Sequence, residues 1–200
     1  MTLPPITRRS ILQGWLAASA VGIGVPGLLL GAQAQSLPPT PSCGTDDPPT
    51  PASSEGPFYT PQTPAKANFR QDAPGDQMTL VGFVVTRDCR PIPDALVDLW
   101  HADARGEYDN DGFRLRGHQF TDAQGRYVFE TIVPGLYPGR TRHYHVKVQA
   151  PGRPLLTTQL YLPDESGNDR DALFDRRLLM GVEAASDGKV GRFDFVLIDA

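Results

Sequence analysis

Apolar and polar residues alternate in several short stretches of this chain, most clearly in Arg140-Thr-Arg-His-Tyr-His-Val-Lys-Val148. A period of two predicts a β-strand, because successive side chains of a strand point to opposite faces. One tyrosine and two valines would then face a core. The opposite face would carry His143, His145 and Lys147. Two histidines placed side by side need an explanation from the rest of the chain.

Similar alternating stretches, bounded by turn residues, predict further strands. These are residues 78–86, 95–100, 118–121, 126–132, 155–162 and 192–198. About seven short strands at turn-punctuated intervals are typical of a β-sandwich. We therefore predict an all-β fold, an antiparallel β-sandwich with long loops and one short helix, preceded by a signal peptide.

Local patterns also suggest how these elements connect. The first two strands, 78–86 and 95–100, are expected to form an antiparallel pair. The turn Asp122-Ala-Gln-Gly125 predicts a hairpin, with glycine supplying a positive φ. The one helix is expected over residues 169–180, where Leu173, Phe174 and Leu178 recur at helical spacing.

Composition supports an ordinary folded domain with an extension. The chain has 200 residues, of which 40% are hydrophobic and 8% aromatic, which is enough to build a core. Twenty glycines and twenty prolines favour a turn-rich β protein over a helical bundle. With 19 basic and 23 acidic residues the chain has no basic field, so we expect no nucleic-acid partner.

The N-terminus has the pattern of an export signal. Thr7-Arg-Arg-Ser-Ile-Leu-Gln13 is a twin-arginine motif, and an uncharged stretch and the small-residue site Ala32-Gln-Ala34 follow it. Residues 1–34 are predicted to be a twin-arginine signal peptide read by the Tat export machinery. The mature protein would be periplasmic or secreted and have no stable membrane anchor; an uncleaved anchor is the alternative. Residues 35–51 would form a Pro-rich linker, and residues 52–200 the catalytic β-sandwich domain.

The two cysteines, Cys43 and Cys89, suggest a disulfide because exported proteins fold in an oxidising compartment. Such a bond would tie the Pro-rich arm to a turn. Two unrelated thiols are the alternative.

The histidine pair has the spacing of a metal site. Side chains at i and i+2 of a strand point the same way, about 6.5 to 7 Å apart, so His143 and His145 could converge on one ion. A single histidine beside a core is more often structural. The pair alone would also suit zinc or copper.

Two tyrosines lie where they could complete such a site. Tyr137 is followed by Pro138, which restricts its backbone to an extended conformation. Tyr108 follows a glycine turn at the expected rim of a sheet, where functional side chains are often placed. Either tyrosine taken alone would more often be structural.

Together, four ordered motifs make residues 51–200 resemble the intradiol ring-cleaving dioxygenases. This family of non-haem Fe(III) enzymes includes protocatechuate 3,4-dioxygenase and catechol 1,2-dioxygenase. The motifs are Glu55-Gly-Pro-Phe-Tyr59, Asp98-Leu-Trp-His-Ala-Asp-Ala-Arg-Gly-Glu-Tyr108, Pro134-Gly-Leu-Tyr-Pro138 with Arg140-Thr-Arg-His-Tyr-His145, and Thr158-Gln-Leu-Tyr161.

The resemblance implies a cofactor, Fe(3+), and four ligands to it: Tyr108, Tyr137, His143 and His145. It also implies that a catechol-type substrate displaces Tyr137 and that O₂ cleaves the ring between the two hydroxylated carbons. The product would be a cis,cis-muconate-type diacid. A homo-oligomer is compatible with the sequence.

Two further residues enter through the same resemblance. Arg140 is similar to the family's active-site arginine, and Gln159 to a glutamine that supports the site. Only Pro138 and Gly139 separate Tyr137 from Arg140, whereas many members have a longer loop there. Arg142 therefore remains a rival for the role of the arginine.

A non-catalytic interpretation also fits part of the chain. Residues 81–137 resemble the carboxypeptidase-regulatory or transthyretin-like sandwich module, which occurs in binding proteins. Such a module has no need of Tyr108, His143 and His145 together, so the ligand set distinguishes the two hypotheses. Of the neighbouring polar residues, Lys147 is expected at the solvent end of its strand, and His101 and His118 at surface or turn positions.

Overall fold

The computed structural model describes Cys43 and residues 47–198. The predicted signal peptide, residues 1–34, lies outside the described residues. Of the predicted linker, only Cys43 and residues 47–51 fall within them. Within this part of the chain, no helix has the length and apolar character needed to cross a lipid bilayer.

The described chain contains nine strands. They are β1 (Gln77–Thr86), β2 (Leu96–Trp100), β3 (Arg116–Phe120), β4 (Arg126–Ile132), β5 (His143–Gln149), β6 (Leu156–Tyr161), β7 (Gly181–Ala185), β8 (Gly188–Arg192) and β9 (Phe195–Leu197). One sheet has the order β4-β1-β8-β7, with β9 also pairing with β1, and the other has the order β3-β2-β5-β6.

The two sheets bury one shared hydrophobic core, which confirms the predicted β-sandwich. Phe129 of the first sheet and Tyr144 of the second are both fully buried in it. β1 alternates between buried and half-buried positions along its first seven residues, because one face packs on the core. The sandwich is not wholly antiparallel, since β8 and β9 both run parallel to β1.

Two predicted strand pairings are wrong. β1 and β2 do not pair, because the intervening turn carries the chain from one sheet to the other. β3 and β4 likewise belong to different sheets, although Gly125 has the expected positive φ of 73°. Local turn chemistry indicates a reversal of the chain, but it does not specify which strand becomes the neighbour.

The C-terminal region also differs from expectation. The predicted strand 192–198 is divided, with β8 ending at Arg192 and β9 beginning at Phe195. Between them the Asp194 carboxylate accepts a hydrogen bond from the backbone N–H of Phe83, 3.0 Å away, in place of a ladder partner. The antiparallel hairpin of β7 and β8 was not predicted, because its residues are mostly exposed or half-buried and its sequence lacks a regular alternation of apolar and polar residues.

The predicted helix over residues 169–180 is wrong. Two short 3-10 helices, Asn168–Arg170 and Arg176–Leu178, stand in its place. The backbone between them is extended at Asp171 and Asp175. Asp171 accepts a hydrogen bond from Leu173 N, and Asp175 from Arg177 N. Aspartate side chains that bind nearby backbone N–H groups compete with helical hydrogen bonding, which explains the break.

The expected disulfide is present between Cys43 and Cys89, which are 46 positions apart. It anchors the chain just before residues 50–59, which we call the N-terminal strap. The strap runs along the second sheet: Ser53 N donates to Thr157 O at 2.9 Å, and Thr158 Oγ1 donates to Pro51 O at 2.8 Å.

Reducing this disulfide is expected to destabilise the domain. A cross-link that closes a loop of this length lowers the entropy of the unfolded chain, so its loss should cost roughly 2–4 kcal/mol. Unfolding in urea with and without reductant measures the difference. The double variant Cys43→Ser, Cys89→Ser is the control, since reductant should not alter its unfolding. Equal midpoints for reduced and oxidised wild type would contradict the prediction.

Candidate metal centre

The histidine pair lies on β5, inside the second sheet. β5 pairs with β2 on one side and β6 on the other, so His145 is in register with both Trp100 and Gln159. His143 and His145 are 4% and 2% exposed, and their Nε2 atoms are 3.1 Å apart. The alternation expected from the sequence is confirmed, because Tyr144 faces the core instead.

Tyr108 brings a third donor to the same point. Its hydroxyl oxygen is 3.3 Å from His143 Nε2 and 3.1 Å from His145 Nε2. Metal–nitrogen bonds of about 2.1 Å put neighbouring ligand atoms about 3.0 to 3.4 Å apart at right or tetrahedral angles. The three donor atoms therefore have the mutual spacing of ligands that share one ion.

Tyr137 lies beside this triangle but does not join it. Its ring is edge-on to that of Tyr108, with centroids 5.9 Å apart, and edge-on to that of Phe58 at 5.3 Å. Its hydroxyl makes no hydrogen bond with the described residues, and the side chain is half-buried. The structure thus brings together three of the four expected ligands and places the fourth next to them.

Backbone contact between two loops sets the two tyrosines side by side. The backbone of Gly106, which has a φ of 87°, approaches the backbone of Leu136 so closely that a Cβ on Gly106 would lie 2.0 Å from Leu136 O. Gly135 N also donates to Asp103 O at 2.8 Å. Only a residue without a side chain allows this approach, so Gly106 explains why the Tyr108 and Tyr137 loops meet.

Both imidazoles are set up as neutral ligands. His143 Nδ1 lies 2.7 Å from Thr141 O, and since a carbonyl can only accept, Nδ1 carries the proton and leaves the Nε2 lone pair free. Burial lowers the pKa of His143 to about 4. Burial also lowers the pKa of His145 well below its ordinary value, and its Nδ1 has no partner among the described residues.

Tyr108 needs a cation to act as an anionic ligand. Burial raises the pKa of its phenol well above the ordinary value of 10.0, although the positive charges of Arg140 and Arg116 partly oppose this. Without a metal the group would remain a neutral phenol at physiological pH. A phenol and two neutral imidazoles that converge in this way fit an iron ion, and zinc or copper could use the same nitrogens. Within the described range, no group of three or more His, Cys, Asp and Glu side chains is placed to hold a metal.

The N-terminal strap forms one wall of the site. The Phe58 ring stacks on Tyr108 with centroids 4.3 Å apart and an interplanar angle of 16°. Arg116, which is 1% exposed, donates to the Phe58 carbonyl and to Asp109 O, the latter at 2.8 Å. The strap and the tyrosine loop are therefore joined through one buried guanidinium. Arg116 was not among the predicted site residues, because no local sequence pattern indicates a contact with a residue 58 positions away.

Lys147 fastens the strap from the sheet side. The expectation that it lies at the solvent end of its strand is wrong, since it is 9% exposed. Its Nζ forms an ion pair with Glu55 and lies 4.3 Å from the centre of the Tyr59 ring. The sequence predicted correctly the face of β5 on which Lys147 lies. It did not predict that the strap covers that face.

The other two histidines have structural roles. His101 was expected at a surface or turn position, but it is 1% exposed. Its ring nitrogens contact Ala102 O at 2.8 Å and Thr131 Oγ1 at 2.6 Å, and burial lowers its pKa to about 4. His118, half-buried, contacts Thr63 Oγ1 at 3.2 Å. Neither ring contacts the cluster of Tyr108, His143 and His145 through a hydrogen bond.

The structure distinguishes Arg140 from Arg142. Arg140 Nη2 donates to Gln159 Oε1 at 2.6 Å, and Gln159 is fully buried with its Nε2 bonded to Ser54 O of the strap at 2.7 Å. Arg142 instead forms an ion pair with Glu165, with 34% of the arginine side chain exposed. Of the two candidate arginines, Arg140 therefore connects to Gln159, which is next to His145 in the sheet.

Replacing Gly56 with alanine should weaken metal binding. Gly56 has a φ of 71°, and a Cβ there would lie 3.2 Å from His145 Cε1. The backbone conformation disfavours alanine by roughly 1–2 kcal/mol, and the new methyl group would press on the ring. We expect about tenfold lower iron affinity, because groups that orient a metal ligand typically contribute that much. Competition with a coloured chelator measures it.

Gly152→Ala is the matched control for this substitution. Gly152 has a similar φ of 69°, but a Cβ there would meet nothing within 4 Å. The control should lose similar stability and keep its iron affinity. If the two variants bind iron equally well, the contact with His145 does not matter.

The chain is similar to known dioxygenases. A family model described as Dioxygenase matches residues 54–197. The chain is 30% identical over 144 residues to hydroxyquinol 1,2-dioxygenase of Nocardioides simplex, covering 60% of this chain and 49% of that protein. It is 33% identical over 138 residues to catechol 1,2-dioxygenase 2 of Acinetobacter lwoffii, covering 56% and 50%. The chain spans about half the length of these curated relatives.

The chain is more similar to one solved structure than to these two relatives, and the match extends over the whole of that structure. It is the dioxygenase domain of a dioxygenase and carbohydrate-binding protein fusion from Streptomyces sp. SirexAA-E. That domain shares 54% sequence identity and a TM-score of 0.74 with this chain, covering 76% of this chain and all of the other.

Proposed function

Because this chain belongs to the intradiol ring-cleaving dioxygenase family, we propose that it cleaves the ring of a catechol-type substrate with O₂ and ferric iron. The bond between the two hydroxylated carbons breaks, and both oxygen atoms of O₂ enter the product. For catechol itself the balance is one diol plus one O₂ giving one cis,cis-muconic acid, with no other reductant needed.

One observation carries the proposal: the convergence of Tyr108 Oη, His143 Nε2 and His145 Nε2 within 3.3 Å of one another. A sandwich module that only binds a partner has no need for such a cluster. Neutral imidazoles beside a phenol form a donor set that a trivalent ion stabilises by making the phenol anionic.

We assign the iron to Tyr108, His143, His145 and, as fourth ligand, Tyr137. When bound, the ferric ion would supply a Lewis acid that holds both catechol oxygens and makes the ring reactive towards O₂. The buried histidines and the stacked Tyr108 would stay in place. Trp100 lies 5.0 Å from His145, nearly parallel to it, and limits rotation of that imidazole.

Tyr137 is suited to be the ligand that leaves. Its side chain is half-buried, its hydroxyl makes no hydrogen bond with the described residues, and a glycine with a φ of 79° follows two positions later. As a phenolate, Tyr137 would accept at its Oη a proton from one catechol hydroxyl. A neutral phenol binds a cation weakly, so the protonated side chain would turn away and leave room for the substrate.

Arg140 is suited to stabilise negative charge that develops on the substrate. Its Nε and Nη2 atoms are engaged by protein acceptors, whereas Nη1 has no hydrogen-bond partner among the described residues. A fixed guanidinium that needs no reorganisation during the reaction is worth several kcal/mol where water is excluded, about 3–4 kcal/mol for a single donor. Gln159 would hold it in place and Phe58 would exclude water.

A visible spectrum of the iron-loaded protein tests the proposal. We expect a wine-coloured protein, because phenolate-to-iron charge transfer absorbs visible light, and a shift of the band when a catechol is added. A panel with carboxyl, alkyl, chloro and hydroxyl substituents would identify the substrate class, with O₂ uptake followed in parallel. Zinc-loaded protein, which should be colourless and inactive, is the control.

Two results would refute the proposal. A protein that takes up no iron and consumes no O₂ with any catechol would favour the binding module. A protein whose activity or colour requires copper or zinc would assign the histidine pair to that metal.

We further propose that the protein acts outside the cytoplasm after twin-arginine export. This rests on the sequence of residues 1–34 alone. Replacing Arg8 and Arg9 with lysine should keep the protein in the cytoplasmic fraction.

We also propose that the protein forms a homo-oligomer. Light scattering of the mature protein measures its oligomeric state.

A further inference from the structure

The side chain of Arg140 is held from two directions. Its Nε donates to both carboxylate oxygens of Asp171, at 3.0 and 2.9 Å, and its Nη2 donates to Gln159 Oε1 at 2.6 Å and to Tyr161 Oη at 3.3 Å. These bonds restrict rotation of the guanidinium about its long, otherwise flexible side chain. The position of the free Nη1 atom is thereby determined by Asp171 and Gln159.

Asp171 is buried and anionic. Its side chain is only 1% exposed, and besides Arg140 it accepts hydrogen bonds from Thr141 N at 3.0 Å and Leu173 N at 2.9 Å. Burial alone would raise the pKa of this carboxyl. The backbone N–H groups of Leu173 and Thr141 and the guanidinium of Arg140 outweigh burial and lower the pKa below its ordinary value.

The same carboxylate also supports the histidine strand. Asp171 Oδ2 accepts from the backbone N–H of Thr141, and the carbonyl of Thr141 accepts from His143 Nδ1 at 2.7 Å. Thr141 is further fixed by its hydroxyl, which donates to Asn168 Oδ1 at 2.8 Å. One buried acid therefore binds both Arg140 and the backbone N–H of Thr141, the residue whose carbonyl determines the tautomer of His143.

The neighbouring arginine provides an internal comparison. Arg142 Nη1 donates to both oxygens of Glu165, at 3.0 and 2.8 Å. This pair is partly exposed, with 34% of the arginine and 20% of the glutamate side chain accessible. Neither side chain forms a hydrogen bond with Gln159, Tyr161 or Thr141. The two ion pairs have similar chemistry, but only the Asp171 pair connects to the candidate site.

We propose that Asp171 is the positioning residue of this active site: it fixes Arg140 so that Nη1 remains free for the substrate. The inference rests on the proposed function for its catalytic consequence. Asp171 contacts neither the metal ligands nor the reacting atoms, and it acts through Arg140.

Turnover measurements on Asp171→Asn test the catalytic consequence. Asparagine keeps the shape and one acceptor oxygen but loses the charge. We expect kcat to fall roughly 10- to 100-fold, as for other small misplacements of catalytic groups, while iron content and the visible spectrum are retained. Glu165→Gln is the matched control and should keep the wild-type kcat.

A double-mutant cycle separates positioning from general destabilisation. If Asp171 acts through Arg140, adding Asp171→Asn to Arg140→Ala should lower kcat by less than about twofold, because the effects of coupled residues are not additive. An equal fold-loss in both backgrounds would overturn the proposal. So would a wild-type kcat in Asp171→Asn.

An NMR measurement on iron-free protein tests whether Asp171 holds Arg140, and it requires no measurement of enzyme activity. In wild type, the Nε–H of Arg140 should exchange with solvent more slowly than that of Arg142, because only Arg140 uses Nε in its ion pair. Arg140→Lys and Arg142→Lys assign the two signals. Equally fast exchange of both would overturn the proposal even if Asp171→Asn fails to fold.

The two hypotheses fail in distinguishable ways. Wild-type protein that turns over no catechol refutes the proposed function, and the exchange measurement still decides whether Asp171 holds Arg140. Active wild type with an unaffected Asp171→Asn variant refutes the positioning role alone.

Discussion

Replacing His145 with alanine is expected to yield a folded protein that retains no iron through purification. His145 Nε2 lies 3.1 Å from both His143 Nε2 and Tyr108 Oη, so its loss removes one corner of the donor triangle. Mutating a group that merely orients a ligand weakens metal binding about 10- to 100-fold, and loss of a ligand should exceed that. Iron analysis after gel filtration, together with the visible spectrum, measures the effect.

His118→Ala is the control for this experiment. His118 is a half-buried histidine whose ring contacts Thr63 rather than the cluster. The variant should keep both its iron and its colour. Wild-type iron content in His145→Ala would show that the triangle is not the metal site, and the ligand assignment would then be wrong.

The second large effect concerns turnover. Arg140→Ala should retain iron but lose about 100- to 1,000-fold in kcat, the typical consequence of removing one preorganised donor to a developing charge. The substitution also leaves the buried Asp171 carboxylate without its cation, so we expect lower stability. Breaking one partner of a buried pair typically costs about 3–5 kcal/mol. O₂ uptake at saturating catechol and urea unfolding measure the two effects separately.

Arg142→Ala tests the rival assignment. Arg142 forms a partly exposed ion pair with Glu165 and should be dispensable for turnover. An active Arg140→Ala variant together with an inactive Arg142→Ala variant would transfer the role to Arg142.

Short-range pattern was enough to predict the histidine strand. Alternation in β5 correctly assigned Tyr144 to the core and both histidines to the opposite face. The reason is geometric, since neighbouring side chains of any strand point to opposite sides whatever the strand pairs with. Turn positions such as Gly125 were predicted for a similar reason, because a positive φ is a local property.

Contacts between residues far apart in the chain could not be predicted in the same way. The sequence located β1 to β6, but it missed β7 and wrongly paired β1 with β2, because pairing depends on which faces are buried together. The region 169–180 had helical spacing of apolar residues, yet Asp171 adopts an extended conformation there. In the folded chain its carboxylate accepts hydrogen bonds from Arg140 and Thr141, about 30 positions away, and these tertiary contacts override weak helical propensity.

The sequence by itself determined where β1 to β6 lie along the chain, the faces of the histidine strand and the motifs that resemble the dioxygenases. Only the tertiary structure decided that Tyr108 lies within 3.3 Å of both histidines, from 35 and 37 positions away. It also decided that the strap covers the site, and that Tyr137 stands beside the triangle without joining it. The physical reason is that strand geometry repeats every two residues, whereas contacts between distant loops depend on how the whole core packs.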